Sequence, residues 1–229
     1  MKLRNFHGLF GIEEAPEWLA SPLSILFFVA LINAWNLIDG IDGLAVSLTV
    51  FVLCVLSVFF WSARSLENMV LCSSLLGSCL VFLLYNSAPA RVFMGTTGAN
   101  LLGLIVSALI IRFLELPSEA LPSPLNSLSR PLIAIASVSY PLLDLLRAMS
   151  LRAKAGESIF QPDRRHIHHS IYEMTGNNAT KTVIIILIFS LTMLIVSIIG
   201  SLFPTFTLIC ASILVFLFSL LLPVPTKYT

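Results

Sequence analysis

The sequence predicts an all-α integral membrane protein, a polytopic helical bundle of about seven transmembrane helices. Three observations carry this. Of 229 residues, 57% are hydrophobic and only 11% charged, against roughly 25% charged in soluble domains, so the chain lacks the polar surface to face water. Apolar runs recur along its whole length, each near the roughly 20 helical residues that cross a hydrocarbon core. The breaks between them carry turn chemistry.

The windows fall near 18–36, 43–63, 68–85, 98–116, 131–149, 182–203 and 205–223. They are separated by Asp-Gly pairs at 39–43, by Arg64 to Glu67, by a Pro and Gly segment at 86–98, and by a Pro/Ser-rich stretch at 117–130. The tight break at Pro204 predicts a helical hairpin for the last two windows, with a single long kinked helix as the alternative. No second domain, linker or repeat interrupts the pattern, so 1–229 reads as a single membrane domain. The first seventeen residues hold Lys2, Arg4, Glu13, Glu14 and Glu17 without an apolar core, and are therefore neither a secretory signal nor a transit peptide.

Thirteen basic against twelve acidic residues leave a net charge of +1, which excludes a strongly basic nucleic-acid binder, so no nucleic acid is expected as a partner. Cys54, Cys72, Cys79 and Cys210 lie in apolar runs without metal-ligand spacing and read as buried hydrophobes.

Alternating the spans sorts the loops into two sets. One face holds 37–43, 86–97, the long loop 150–181 and the C-terminus, with Arg91, Arg152, Lys154, Arg164, Arg165, Lys181 and Lys227. The other holds only Lys2, Arg4, Arg64 and Arg130. The excess of basic residues makes the first face cytoplasmic and 150–181 the main cytoplasmic loop. Every concentrated polar cluster lies on that face.

Asn33, Asn36, Asp39 and Asp42 recur every third residue, about 60° apart on a helix, and form one polar stripe. Such groups at membrane depth usually face a cavity, where they would hold a cation or a sugar or nucleotide hydroxyl. The alternative is an interfacial helix end with Asp42 capping the next helix. A second cluster, Asp163-Arg-Arg-His166-Ile-His168-His169, combines guanidinium charge with titratable imidazoles and suits phosphate; zinc or anionic lipid are the alternatives. The third, Asn86 to Asn100, brings Pro89, Phe93, Gly95 and Gly98 to the start of the fourth span, a favourable place for negative charge or an ordinary loop and cap. Within spans, Arg112 with Glu115 and Asp144 with Arg147 are three apart and expected to neutralise each other.

With these residues on the page, the sequence resembles the polyprenyl-phosphate N-acetylhexosamine-1-phosphate transferases, glycosyltransferase family 4, in particular the branch that transfers N-acetylglucosamine 1-phosphate from a UDP-sugar to undecaprenyl phosphate. Asn33-Ala-Trp-Asn36-Leu-Ile-Asp39-Gly-Ile-Asp42-Gly, then Asn86 with Pro89-Ala90 and Phe93-Met-Gly, then Pro162-Asp-Arg-Arg-His166-Ile-His168-His169 are similar to its motifs in order and spacing. The resemblance implies active-site loops on the cytoplasmic side of a bacterial inner membrane. It implies a UDP-N-acetylhexosamine donor, a polyprenyl (undecaprenyl) phosphate acceptor, UMP release at the start of cell-wall or surface polysaccharide synthesis, and Mg2+. It implies catalytic roles for Asp39, Asp42, His166, His168 and His169, and substrate contacts from Asn33, Asn36, Gly40, Ile41, Asn86, Phe93 and Arg164.

The chain departs from the family pattern in two ways. Thr96 stands where members carry an aspartate implicated in holding magnesium, and Ala99 stands where serine is usual. A hydroxyl cannot replace a carboxylate's charge, so no residue is assigned as a metal ligand and magnesium binding is expected to be weak. The chain also reads as N-terminally truncated, corresponding to the C-terminal two thirds of the family and lacking its Asp-Asp motif. A separate N-terminal half or a second copy of the chain is then an expected partner. The competing readings are a noncatalytic membrane subunit that binds nucleotide or lipid phosphate and, more remotely, a transporter.

Overall fold

The computed structural model describes residues 1–9, 11–156 and 166–201. Two short strands, β1 (Asn5–Leu9) and β2 (Ile12–Glu14), precede α1 (Glu17–Ile38), α2 (Leu44–Ser62), α3 (Leu66–Asn86) and α4 (Gly95–Leu114). After two 3-10 turns come α5 (Arg130–Ser137), α6 (Ser139–Lys154), α7 (Ile167–Met174) and α8 (Ala179–Ser201). Among the described residues, five helices are long and apolar enough to cross a membrane, and six spans result if α5 and α6 count as one. Windows one to four and six are single helices, and the chain is a polytopic helical membrane protein. The seventh window, 205–223, lies outside the described residues.

The fifth window is not one straight helix. A bend of 66° separates α5 from α6 at Val138. Pro141 explains the position, because proline has no N–H to donate and its ring clashes with the carbonyl four residues back, that of Ser137, where α5 ends. Within 150–181, the segment between the fifth and sixth windows, α6 runs on to Lys154, and α7 forms because Ile167 and Ile171, four apart, bury one face.

α2 is the centre of the bundle, with Leu44, Val46, Leu48, Val52, Leu53, Leu56 and Phe60 fully buried. α1 packs chiefly on α4, and α2 on α3. The first crossing is close: a Cβ added to Gly103 would meet the Ile32 Cα at 2.8 Å, so only glycine lets the two backbones approach this far. Trp35 is wholly buried, and its indole Nε1 donates to Thr49 Oγ1 at 2.8 Å, which pairs its one polar atom. α3 lies outermost and presents Val70, Leu80, Val81 and Leu84, the surface expected of a helix facing lipid.

At one end, the β1–β2 hairpin closes over the C-terminus of α4. Glu115 accepts the backbone N–H groups of Arg4 and Asn5 at 2.7 and 2.8 Å, and the His7 ring bonds the Leu114 carbonyl at 2.7 Å. The expected Arg112–Glu115 pair is thereby replaced, since Arg112 donates instead to Asn68 Oδ1 at 2.8 Å. Buried Arg130 donates to the Leu116 and Pro117 carbonyls, securing the turn after α4. The polar motifs collect at the opposite end, where α1 and α3 finish and α2, α4 and α8 begin.

Candidate active site at one end of the bundle

The turn between α1 and α2 is the hub. On α1, Leu31, Ala34, Trp35 and Ile38 are buried while Asn33 and Asn36 are exposed, so the polar stripe runs along the accessible face. Asp39 ends the helix. Burial deprives its carboxylate of water and raises its pKa to about 6, although the backbone N–H of Gly95, at the start of α4, pulls the other way. Asp42 does not cap α2 through its side chain; its Oδ2 accepts the N–H of Ala90 at 3.0 Å.

Asn86 ties the same two segments from the other side. Its side chain is buried, with Oδ1 accepting the Gly43 N–H at 3.2 Å and Nδ2 donating to the Val92 carbonyl at 2.9 Å. Both ends of the amide are thus engaged by backbone, and Asn86 fixes the 86–94 loop against the 39–43 turn. Phe93 projects from that loop and is 74% exposed.

The histidine segment closes the arrangement. His166 stands at the N-cap of α7, and the rings of His166 and His168 stack with centroids 5.3 Å apart and 16° between planes. Their Nδ1 atoms lie 3.2 and 2.9 Å from a single oxygen, Oδ2 of Asp144 on α6, whose Oδ1 accepts the Ile167 N–H. His169 adjoins His168, with ring centroids 4.3 Å apart. Gly40 meets this cluster: a Cβ there would lie 3.3 Å from His168 Nε2 and 3.7 Å from His169 Cε1. The absent side chain is what allows the turn to approach the imidazoles.

The structure therefore brings Asp39, Gly40, Asp42, Asn86, His168 and His169 into one connected region, with Asn36 and Phe93 on its accessible margins. Ile41 departs from the expected substrate contact, because its side chain belongs to the apolar core and anchors the turn from below. Arg164 lies outside the described residues.

Sequence reasoning missed Asp144. Arg147 does sense its charge, yet the carboxylate's hydrogen bonds go to the histidine segment. The usable signal was an acidic residue at membrane depth, which rarely lacks a polar partner. Asp144, His166 and His168 are also the group whose ligand atoms, all within 4.8 Å of one another, are close enough to hold a metal among the described residues. Both Nδ1 atoms are already engaged by Asp144, while the Nε2 of His168 has no hydrogen-bond partner among the described residues.

Comparison with known proteins accords with the motif order. Residues 1–114 match the family described as "Glycosyl transferase family 4". The chain is 34% identical to a probable undecaprenyl-phosphate N-acetylglucosaminyl 1-phosphate transferase of Bacillus subtilis, over 75% of this chain and 46% of that protein. It is 31% identical to a decaprenyl-phosphate N-acetylglucosaminephosphotransferase of Mycobacterium tuberculosis, over 78% and 46%. It is 35% identical to a phospho-N-acetylmuramoyl-pentapeptide-transferase of Clostridium novyi, over 78% and 50%. The chain thus spans about half the length of the curated relatives it matches. With all three motifs gathered at one end of a membrane bundle, the chain belongs to glycosyl transferase family 4, alongside polyprenyl-phosphate sugar-1-phosphate transferases.

Proposed function

We propose that this chain carries the active-site face of an enzyme that transfers N-acetylhexosamine 1-phosphate from a UDP-sugar to polyprenyl phosphate. An oxygen of the lipid phosphate attacks the sugar-linked phosphorus, the bond to the UMP oxygen breaks, and UMP leaves. One observation carries the reading: the Asn/Asp turn is joined to the Pro89–Phe93 loop by Asp42 and Asn86, and touches the histidine segment at Gly40. Three motifs distant in sequence form one surface.

Both reactants are anions, so the barrier includes bringing like charges together. The N-terminus of α4, with imidazoles and the Arg164 guanidinium, offsets that repulsion and stabilises charge on the departing UMP. Phe93, Asp42 and Gly40 receive the uridine, Asn33 and Asn36 the sugar and diphosphate, and His166, His168 and His169 the phosphates. Asn86 positions the loops. The acceptor's phosphate is already substantially ionised, with a second pKa of roughly 6, so no dedicated base is required.

The donor set fits magnesium weakly. Asp39 carries a charge that its surroundings leave undercompensated, as its raised pKa records, and a cation would answer it. Thr96 follows Gly95, whose N–H meets Asp39, and is exposed in the first turn of α4. When bound through Asp39 and Thr96, magnesium would supply neutralising charge to the diphosphate.

The basic excess read from the sequence, Arg91, Arg152, Lys154, Arg164, Arg165, Lys181 and Lys227 against Lys2, Arg4, Arg64 and Arg130, supports a cytoplasmic site in a bacterial inner membrane. The donor favoured is UDP-N-acetylglucosamine, on the His166-Ile-His168-His169 pattern. The test is purified protein in lipid nanodiscs with UDP-N-acetylglucosamine and undecaprenyl phosphate, following UMP release. UDP binding without UMP release, even with a supplied N-terminal half, would overturn the catalytic reading.

A further inference from the structure

Resting on that reading, we infer that Asp144 is a positioning residue: it holds His166 and His168 with their Nδ1–H bonds turned inward, so that His168 Nε2 is presented to the donor's phosphate beside Gly40.

An ionised carboxylate accepts hydrogen bonds and donates none. Asp144 is 0% exposed and takes three contacts, from the Ile167 N–H and the Nδ1 atoms of both histidines, so each Nδ1 carries the proton. With the His168 Nδ1–H turned to Asp144, its Nε2 is the ring nitrogen left facing Gly40. His168 is itself 0% exposed, and its Nε2 has no hydrogen-bond partner among the described residues. A buried polar atom in that condition is costly unless something meets it, and what lies in front of it is Gly40, on the turn that bears Asp39 and Asp42. Contact with a phosphate oxygen takes the imidazolium form of His168, whose Nε2–H donates. The 66° break before α6 and the helix that follows bring Asp144 under the histidines, although 22 residues separate it from His166.

The experiment is long-range 1H–15N NMR of the full chain in detergent, labelled at its four histidines. In the wild type, His166 and His168 show the Nδ1–H tautomer when neutral, and added UDP shifts His168 Nε2. Asp144→Asn, whose amide can donate, removes that tautomer preference and raises the Kd for UDP roughly tenfold to hundredfold, the range seen when an orienting partner of a functional histidine is lost. His7, at the other end of the bundle, reports folding by keeping its resonance. If the variant does not fold, Gly40→Ala serves: it leaves Asp144 in place yet must move the His168 signal and weaken UDP.

An Nε2–H tautomer at His168 in the wild type, or a folded Asp144→Asn with unchanged tautomer and UDP affinity, overturns the positioning role while leaving the transferase reading intact. The expected tautomer with no response to UDP overturns the transferase reading, and with it the phosphate contact.

Discussion

Gly40 and His168 face each other so closely that a single added carbon on the glycine would stand 3.3 Å from the imidazole Nε2. Gly40 is exposed, so substitution there leaves the core alone. Gly40→Ala is expected to lower UMP release about tenfold, and Gly40→Val about a hundredfold, because displacement of reacting groups by an ångström costs on that order. The thermal midpoint should stay within experimental error. Equal losses of activity and midpoint would show that the glycine serves folding instead.

Asn86 makes the opposite prediction. Asn86→Leu strands the Gly43 N–H and the Val92 carbonyl, at a cost of about 1–3 kcal/mol. Asn86→Asp keeps the acceptor for Gly43 but cannot donate to Val92, and should fall between. Limited trypsin digestion at Arg91, within the loop that this amide holds, should quicken in the same order. Indifference of the Arg91 cleavage rate would remove the positioning role.

Asp39 should give a pH signature. Its pKa is about 6 in the folded protein against an ordinary 3.8. The folded state therefore holds the proton more tightly, gaining stability as pH falls from 6 towards 3.8 and losing it as pH rises through 6. Asp39→Asn is expected to stabilise the protein at pH 7.5 by about 1 kcal/mol, after allowance for solvent screening, and by much less at pH 4. Calorimetry at the two values checks the sign. Metal-supported UMP release should rise as pH passes 6, since a cation competes with the proton for this carboxylate.

Thr96→Asp places a carboxylate in the first turn of α4, which has none, next to the Gly95 whose N–H Asp39 meets. Magnesium-dependent turnover should increase, with half-maximal magnesium falling about tenfold or more for one added charged ligand. A wild type that already matches the variant would show that the hydroxyl suffices.

The helices were legible because about 20 apolar residues in a row leave few alternatives. The break between α5 and α6 at Val138 was not read, although Pro141 marks it three residues downstream. The hairpin at Asn5–Glu14 escaped because polar, charged strands carry no apolar alternation; Gly8 and Gly11, both at positive φ, were its only local sign. In the site, the Asn/Asp turn and the histidine motif could be read directly, since their residues adjoin in sequence. Asp144 could not, because its partners lie on a later segment and Arg147, one helical turn away, offered a simpler explanation. Ile41 shows the converse: adjacency to Gly40 and Asp42 says nothing about which way an apolar side chain turns, and this one lies in the core.

The loop between α3 and α4 is held by its main chain: Asp42 grips the amide of Ala90, and Asn86 grips the carbonyl of Val92. Its shape is thus written in residues outside its tip, leaving the side chains of Arg91, Val92 and Phe93 uncommitted to maintaining it. Such a loop can exchange those three residues without rebuilding the scaffold. Evolution, or a designer, has three adjustable letters on a fixed frame.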